Sequence, residues 1–77
     1  MIDWKKHITS DKSILLGKPV IRGTRISVEF IIELLASGWS EMDILYNYPR
    51  LKKKDLQAVF AYMHENIRDG LFFEISD

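Results

Sequence analysis

The sequence predicts a mainly α-helical fold: a three-helix bundle of the helix-turn-helix, homeodomain-like kind, with a short N-terminal β or extended segment. Two observations predict this fold class. Apolar residues recur at helical spacing over residues 28–35 and again over residues 56–67. Residues 1–26 lack this period beyond one turn near residues 3–8, and contain short apolar runs separated by glycine and proline.

We expect the 77 residues to form one domain, because a chain of this length holds a single core. The domain divides into an extended segment over residues 1–26, three helices over residues 27–67 and a tail over residues 68–77. Apolar residues make up 47% of the chain, which is more than so small a monomer can easily hide. We therefore expect the chain to associate as a homodimer.

The most distinctive part of the extended segment is residues 17–26, which read GKPVIRGTRI and contain three cations and no acid. Pro19 fixes its own φ, and Gly23 permits a turn with positive φ. The apolar runs at residues 14–16 and 20–21 predict two short strands or extended pieces around a turn. Such a basic ribbon either shapes a small fold or contacts an anion.

The first helix is predicted to begin after Ser27, a favourable N-cap residue, with Glu29 in the first turn. Gly38 is placed to end it as the C′ residue. The helix is apolar nearly all round, so both of its sides need cover. One apolar stripe contains Val28, Ile31, Ile32 and Leu35, and a second contains Phe30 and Leu34.

The second and third helices are predicted from their caps and their period. Ser40 and Asp43 form a variant of the capping box, and Pro49 limits the second helix to residues 41–47. The third helix is expected over residues 53–66. Its predicted buried stripe consists of Leu56, Val59, Phe60, Met63 and Ile67.

Composition argues against several classes of function. Eleven basic and eleven acidic residues cancel, which argues against a polybasic nucleic-acid binder. The absence of cysteine excludes disulfides and zinc–thiolate sites. His7 and His64 are far apart and are interpreted as solvated or core-edge residues, so no metal or other cofactor is expected. The sequence also lacks a signal-peptide or membrane-spanning run, so a cytoplasmic protein without membrane contact is expected.

Catalysis is not expected either. The acidic residues lie mostly at solvated helical positions, and no nucleophile has an orienting context. We therefore expect neither an enzyme nor a small-molecule substrate.

Local charge indicates a different activity. In a trihelical helix-turn-helix, the third helix enters the major groove of double-stranded DNA by its N-terminus. Here that end carries Lys52, Lys53 and Lys54, which suit phosphate contacts. Gln57, one turn further on, offers a donor and an acceptor to adenine. The alternative is that the three lysines only solvate the end of the helix.

Arg22 and Arg25 have two interpretations. In the first interpretation they contact phosphates or the minor groove, as basic arms of DNA-binding proteins do. Alternatively, they pair with Glu29, Glu33 or Asp11 and hold the ribbon to the first helix.

Three motifs in combination carry a resemblance. GKPVIRGTRI, then Gly38-Trp39-Ser40, then Tyr48-Pro49-Arg50-Leu51 resemble the bacterial domain-of-unknown-function family 433 over about residues 8–67. The resemblance implies a small helix-turn-helix antitoxin of the VapB type, encoded beside a PIN-like ribonuclease toxin. The chain departs from the family pattern in two places. Leu16-Gly17 stands where the family usually has Gly-Gly, and Lys52, Lys53, Lys54 and Asp55 stand where it usually has Thr with acids.

The tail is the predicted partner-binding segment, with apolar and acidic residues Leu71, Phe72, Phe73, Glu74 and Ile75. One hypothesis is a dimeric DNA-binding repressor and antitoxin, whose tail occupies a basic cleft on the nuclease. The alternative hypothesis is a protein-interaction or dimerisation module that never binds nucleic acid. Packing of the tail on its own domain is expected about as much as its binding to a partner.

Overall fold

Three helices follow a short antiparallel ribbon along the chain, so the predicted fold class is confirmed. A computed structural model describes residues 1–70; the tail residues Leu71, Phe72, Phe73, Glu74 and Ile75 lie outside the described residues. The elements are strands β1 (Ile8–Thr9) and β2 (Val20–Ile21) and helices α1 (Val28–Ala36), α2 (Glu41–Asn47) and α3 (Lys53–Arg68), with 3-10 turns at Trp4–Lys6 and Leu15–Gly17.

Strand β2 lies where one of the apolar runs predicts it, but its partner is β1, with Ile8 opposite Ile21. The prediction of a strand or extended piece at residues 14–16 was wrong. The Asp11 carboxylate accepts hydrogen bonds from the backbone N–H and hydroxyl of Ser13 at 2.9 and 2.8 Å, which forms a tight turn. After this turn the chain coils into the 3-10 turn at Leu15–Gly17, where the Gly17 N–H donates to the carbonyl of Ile14 at 3.0 Å, and β1 completes the ribbon.

A turn after β2 brings the chain back toward α1. Gly23 takes a φ of 78°, a conformation that glycine adopts without steric cost. The buried Thr24 hydroxyl donates to the carbonyl of Ile21 at 2.8 Å and accepts from the N–H of Ile26 at 3.0 Å. An isolated bridge between Val20 and Ser27 then closes the turn. The basic ribbon therefore ends at the N-cap of α1.

Helix α1 has both predicted ends. The Ser27 hydroxyl accepts the N–H of Phe30 at 2.9 Å. At the other end Gly38 has a φ of 96°, and the Trp39 N–H donates to the carbonyl of Leu34 at 3.0 Å. This Schellman arrangement satisfies carbonyls that the helix leaves free and turns the chain toward α2.

Helices α2 and α3 are both capped by aspartate. Ser40 and Asp43 form the predicted capping box, with reciprocal bonds of 3.0 and 2.9 Å. In α3 the Asp55 carboxylate accepts the N–H of Lys52 at 2.9 Å. Helix α2 has its predicted bounds, and α3 runs two residues beyond the predicted residue 66.

The core lies between the ribbon and the inner sides of the three helices, and the buried face of α3 differs from the predicted stripe. Phe60 and Ile67 are 45% and 48% exposed, whereas Ala61 is buried. The predicted burial of Phe60 and Ile67 was therefore wrong. The buried residues of the core cluster are Ile8, Ile21, Val28, Ile31, Leu34, Ile44, Leu51, Leu56, Ala58 and Val59.

The N-terminal turn explains this rotation. Trp4 packs edge-on against Tyr62 with ring centroids 4.8 Å apart, and its indole N–H donates to Glu65 at 3.2 Å. These contacts cover the side of α3 that carries Ala61, where a small side chain permits close approach. Phe60, about 100° further round the helix, faces outward.

Candidate nucleic-acid interface

Four cations line one cleft on the molecular surface, which we call the cationic cleft. It has a volume of about 450 Å³ and lies where the turn after β2 meets the turn between α2 and α3. Its lining residues are His7, Arg22, Gly23, Thr24, Arg50, Lys52, Lys54 and Asp55. Residues distant in sequence therefore form one positively charged surface.

Backbone geometry positions the cations from the α2–α3 turn. Leu51 is buried in the core, and its N–H donates to the carbonyl of Tyr48 at 2.9 Å. Its two neighbours, Arg50 and Lys52, are exposed and line the cleft. Burial of one apolar side chain thus fixes two cations on the opposite side of the chain.

Arg22 reaches the cleft from the ribbon. It directly follows β2, and its guanidinium Nη2 donates to the carbonyl of Lys5 at 3.0 Å. This hydrogen bond occupies only part of the hydrogen-bonding capacity of the guanidinium group, and it ties the ribbon to the N-terminal turn. The arrangement gives Arg22 a structural role while leaving it on the cleft.

An acid and a histidine form the floor of the cleft. Asp55 Oδ1 lies 3.0 Å from His7 Nδ1, and these side chains are 13% and 24% exposed. Because Asp55 Oδ2 accepts the Lys52 N–H, both carboxylate oxygens have hydrogen-bond partners. Asp55 therefore joins the N-terminal turn to the start of α3, and His7 is a core-edge residue, one of the two predicted environments.

The electrostatics of the cleft favour an anion. Within residues 1–70, Arg50, Lys52 and Lys54 form no ion pair. The N-terminus of α3 adds the partial positive charge of its helix dipole, of which Asp55 offsets a part. Phosphate oxygens suit such a surface, because lysine, arginine and backbone N–H groups all donate to them.

The other predicted DNA-binding residues lie outside the cleft. Gln57 lines a second groove with Met1 and Phe60, and its helical position falls between those of Lys53 and Lys54, one turn further along α3. Lys53 is exposed on the same side of the helix as Gln57.

Arg25 is also exposed, beyond the cleft. Among the described residues neither Arg22 nor Arg25 pairs with an acid, so the ion pairs considered for them with Glu29, Glu33 or Asp11 are not formed there. Instead Lys18 Nζ lies 3.0 Å from Glu29 Oε1.

Arg50 is the cation of the cleft that was absent from the predicted site. The available signal was four cations in five residues, Arg50 among them, but only the structure places its side chain beside Arg22. The contact between His7 and Asp55 was also not predicted, because 48 positions separate the two residues.

The part of the chain that the structure describes contains neither a metal-binding cluster nor a membrane-spanning helix. No group of three or more histidine, aspartate or glutamate side chains there is placed to hold a metal ion. No helix there is long and apolar enough to cross a membrane.

Comparisons with known proteins give one consistent assignment. The family model described as "Protein of unknown function (DUF433)" matches residues 8–63. "Uncharacterized protein y4eO" from Sinorhizobium fredii (strain NBRC 101917 / NGR234) is 32% identical over 62 residues, which cover 80% of this chain and 28% of that protein.

A crystal structure of a DUF433 member protein from Anabaena variabilis ATCC 29413 has a similar fold. It is 31% identical, with a TM-score of 0.73, over 80% of this chain and 61% of that one. The match thus spans less than two thirds of either relative. On the matches to its sequence and its fold, the chain belongs to the DUF433 family.

Proposed function

We propose that the protein binds double-stranded DNA as a homodimeric repressor and acts as the antitoxin of a toxin–antitoxin pair. The observation that carries the DNA-binding part is the cationic cleft, where Arg22, Arg50, Lys52 and Lys54 converge beside the N-terminus of α3. Phosphate contacts of this kind supply much of the affinity of a protein for DNA.

The arrangement of α3 supports a division of labour on DNA. The cleft cations hold the phosphate backbone at one side of the helix N-terminus. Lys53 and Gln57 lie on the exposed face of the same helix, where a side chain reaches base edges in the major groove. Gln57 is then the residue that reads sequence.

Exposed apolar side chains support self-association. Phe60 and Ile67 lie on one face of α3, and Met1 lines the groove beside Phe60. A two-fold dimer is the commonest closed assembly and presents two copies of α3 to two half-sites on DNA. Light scattering at high micromolar concentration should give a dimer mass, and a monomer mass would contradict this part.

The antitoxin role rests on the family resemblance and on the composition of the tail. Phe72 and Phe73 are aromatic anchors of the kind that dominate binding energy at interfaces, and Glu74 complements a cationic groove on a PIN-like ribonuclease. In co-expression with the nuclease of the adjacent reading frame, truncation after Asp69 should abolish growth rescue. Growth rescue by the truncated chain would contradict a role for the tail.

The second candidate function is a protein-interaction module without DNA binding. The residues Met42 and Tyr46 favour it, because they lie one turn apart on α2 and are 81% and 86% exposed. Under this alternative the cleft cations are only solvated by water and bind no phosphate.

Gel retardation with two duplexes tests the DNA-binding proposal. A duplex from the promoter region of the gene should bind more tightly than an unrelated duplex of equal length. Lys54→Ala should weaken both complexes alike, whereas Gln57→Ala should reduce the ratio between them. Absence of retardation at low salt would contradict the proposal, and an unchanged ratio in Gln57→Ala would remove the assigned role of that residue.

A further inference from the structure

We infer that the outer face of α1 is a docking surface for a basic amphipathic helix of a partner protein. Apolar hollows lie on both sides of this face. One, of about 490 Å³, is lined by Phe30, Ile32 and the acids Glu29 and Glu33, together with Ser27.

The other hollow has a volume of about 360 Å³. It shares Ile32 and Glu29 with the first hollow, and its other lining residues are Lys18, Pro19, Val28 and Tyr62. The two hollows are therefore continuous along α1.

Helix α1 leaves apolar surface that its own domain does not cover. Val28, Ile31 and Leu34 are buried, but Phe30 and Ile32 remain only half-buried on the flanks of the outer face. This apolar surface borders an exposed acidic ridge formed by Glu29 and Glu33. A helix laid beside the ridge would cover one of these flanks with its apolar face and bring its cations to the acids, as in other helix-in-groove complexes.

The charges of the ridge define the chemistry of the occupant. Glu29 and Glu33 are one turn apart. Lys18 Nζ lies 3.0 Å from Glu29, but this pair is largely solvent-exposed and therefore weak, so a facing cation can exchange with Lys18. Two cations at the same spacing on a facing helix then complement both acids. Glu33 weakens α1 itself, because it lies near Glu29 and in the half of the helix where the dipole disfavours acids. Within residues 1–70 no cation pairs with it. Its charge is therefore free for an external partner.

The same charges argue against two other occupants. A second copy packed on this face about a two-fold axis would bring Glu29 and Glu33 against their own equivalents, and like charges repel. DNA phosphates would be repelled in the same way. A cationic protein segment is therefore the occupant that we assign to the outer face of α1.

This inference rests on the proposed function only for the identity of the partner, since an RNA-binding nuclease carries basic surface. The test uses a synthetic lysine/leucine amphipathic peptide of about four helical turns. Titrated into the isotope-labelled full chain, it should shift the amide resonances of α1. Glu29→Gln and Glu33→Gln should each weaken binding about threefold, and the double variant about tenfold.

Matched controls separate docking from general charge attraction. Glu41→Gln removes an equally exposed acid from the first turn of α2 and should leave the affinity unchanged. A peptide with its leucines replaced by serine should lose binding, because the apolar flanks then have no partner. Equal weakening by Glu41→Gln, or α1 shifts produced by raising the protein concentration alone, would overturn the inference.

The DNA assay distinguishes failure of this inference from failure of the proposed function. The Glu29→Gln/Glu33→Gln variant should keep wild-type affinity for DNA. If the wild-type chain docks the peptide on α1 but binds no DNA, the docking surface stands and the DNA-binding proposal falls. If DNA binds and the peptide contacts another face, the docking surface falls alone.

Discussion

Replacement of Leu16 by glycine should stabilise the protein, because this residue holds a strained backbone conformation. Leu16 has φ 58° and ψ 29°, and the preceding residue, Leu15, also has a positive φ of 48°. The left-handed region costs an L-amino acid with a side chain about 1–2 kcal/mol, and glycine avoids that cost.

The structure sets the size of the effect. The Leu16 side chain is 94% exposed, so its removal sacrifices almost no buried apolar area. Glycine also raises the conformational entropy of the unfolded chain, which offsets about 0.4–1 kcal/mol of the relief. At the midpoints of these two ranges the net gain in the free energy of unfolding is about 0.8 kcal/mol. For a domain of this size that corresponds to a rise in Tm of about 3–6 °C.

Thermal unfolding followed by circular dichroism measures this gain, and alanine provides the control. Leu16→Ala shortens the side chain but keeps the strained backbone, so its Tm should stay near that of the wild type. The reasoning would be refuted if Leu16→Gly failed to raise the Tm. It would also be refuted if Leu16→Ala raised the Tm by the same amount, because the gain would then come from the side chain.

Three further predictions follow from the caps and the core. Ser27→Ala should lower the free energy of unfolding by about 1 kcal/mol in urea denaturation, since it removes the hydroxyl that caps α1; an unchanged midpoint would contradict the cap. Hydrogen bonds to the Asp43 carboxylate, first from the backbone of Ser40 and then from its side chain, hold the pKa of Asp43 below 3.8. Its contribution should therefore be present above pH 3.8 and lost as the pH falls through the lowered value, and Asp43→Asn should flatten this part of the stability–pH curve. On α3, Ala61→Leu should destabilise by about 1–3 kcal/mol through overpacking, whereas Phe60→Gln should cost less; the reverse order would contradict the observed face of α3.

The helical part of the fold could be predicted because its signals are local. Ser27 and Ser40 mark helix starts because their hydroxyls accept hydrogen bonds from the first turn, and Gly38 marks a helix end because a residue without a Cβ adopts positive φ freely. The helix bounds therefore followed from short stretches of sequence. The error in the predicted buried stripe of α3 arises instead from a contact with a segment that is distant in sequence. Whether Phe60 or Ala61 faces inward depends on the N-terminal turn, which is remote in sequence, and apolar spacing alone favoured the larger side chain.

The residues of the candidate site could likewise be predicted from local sequence, but their arrangement in one cleft could not. Lys52 and Lys54 could be identified from a run of cations at a predicted helix end, and Arg22 from its basic ribbon. Their convergence with Arg50 in one cleft depends on the pairing of β1 with β2 and on the contact between His7 and Asp55. These are tertiary contacts between distant segments, for which the sequence carries no spacing signal.

The salt dependence of DNA binding tests the central claim most directly. Fluorescence anisotropy of a labelled duplex gives the association constant over a range of salt concentrations. If Arg50 and Lys52 each neutralise a phosphate, the double alanine variant should reduce the slope of log K against log salt by about 1.8. The control Lys12→Ala/Arg68→Ala removes the same charge outside the cleft and should leave the slope unchanged. Equal slopes for the two double variants, or no binding by the wild-type chain at low salt, would contradict the account.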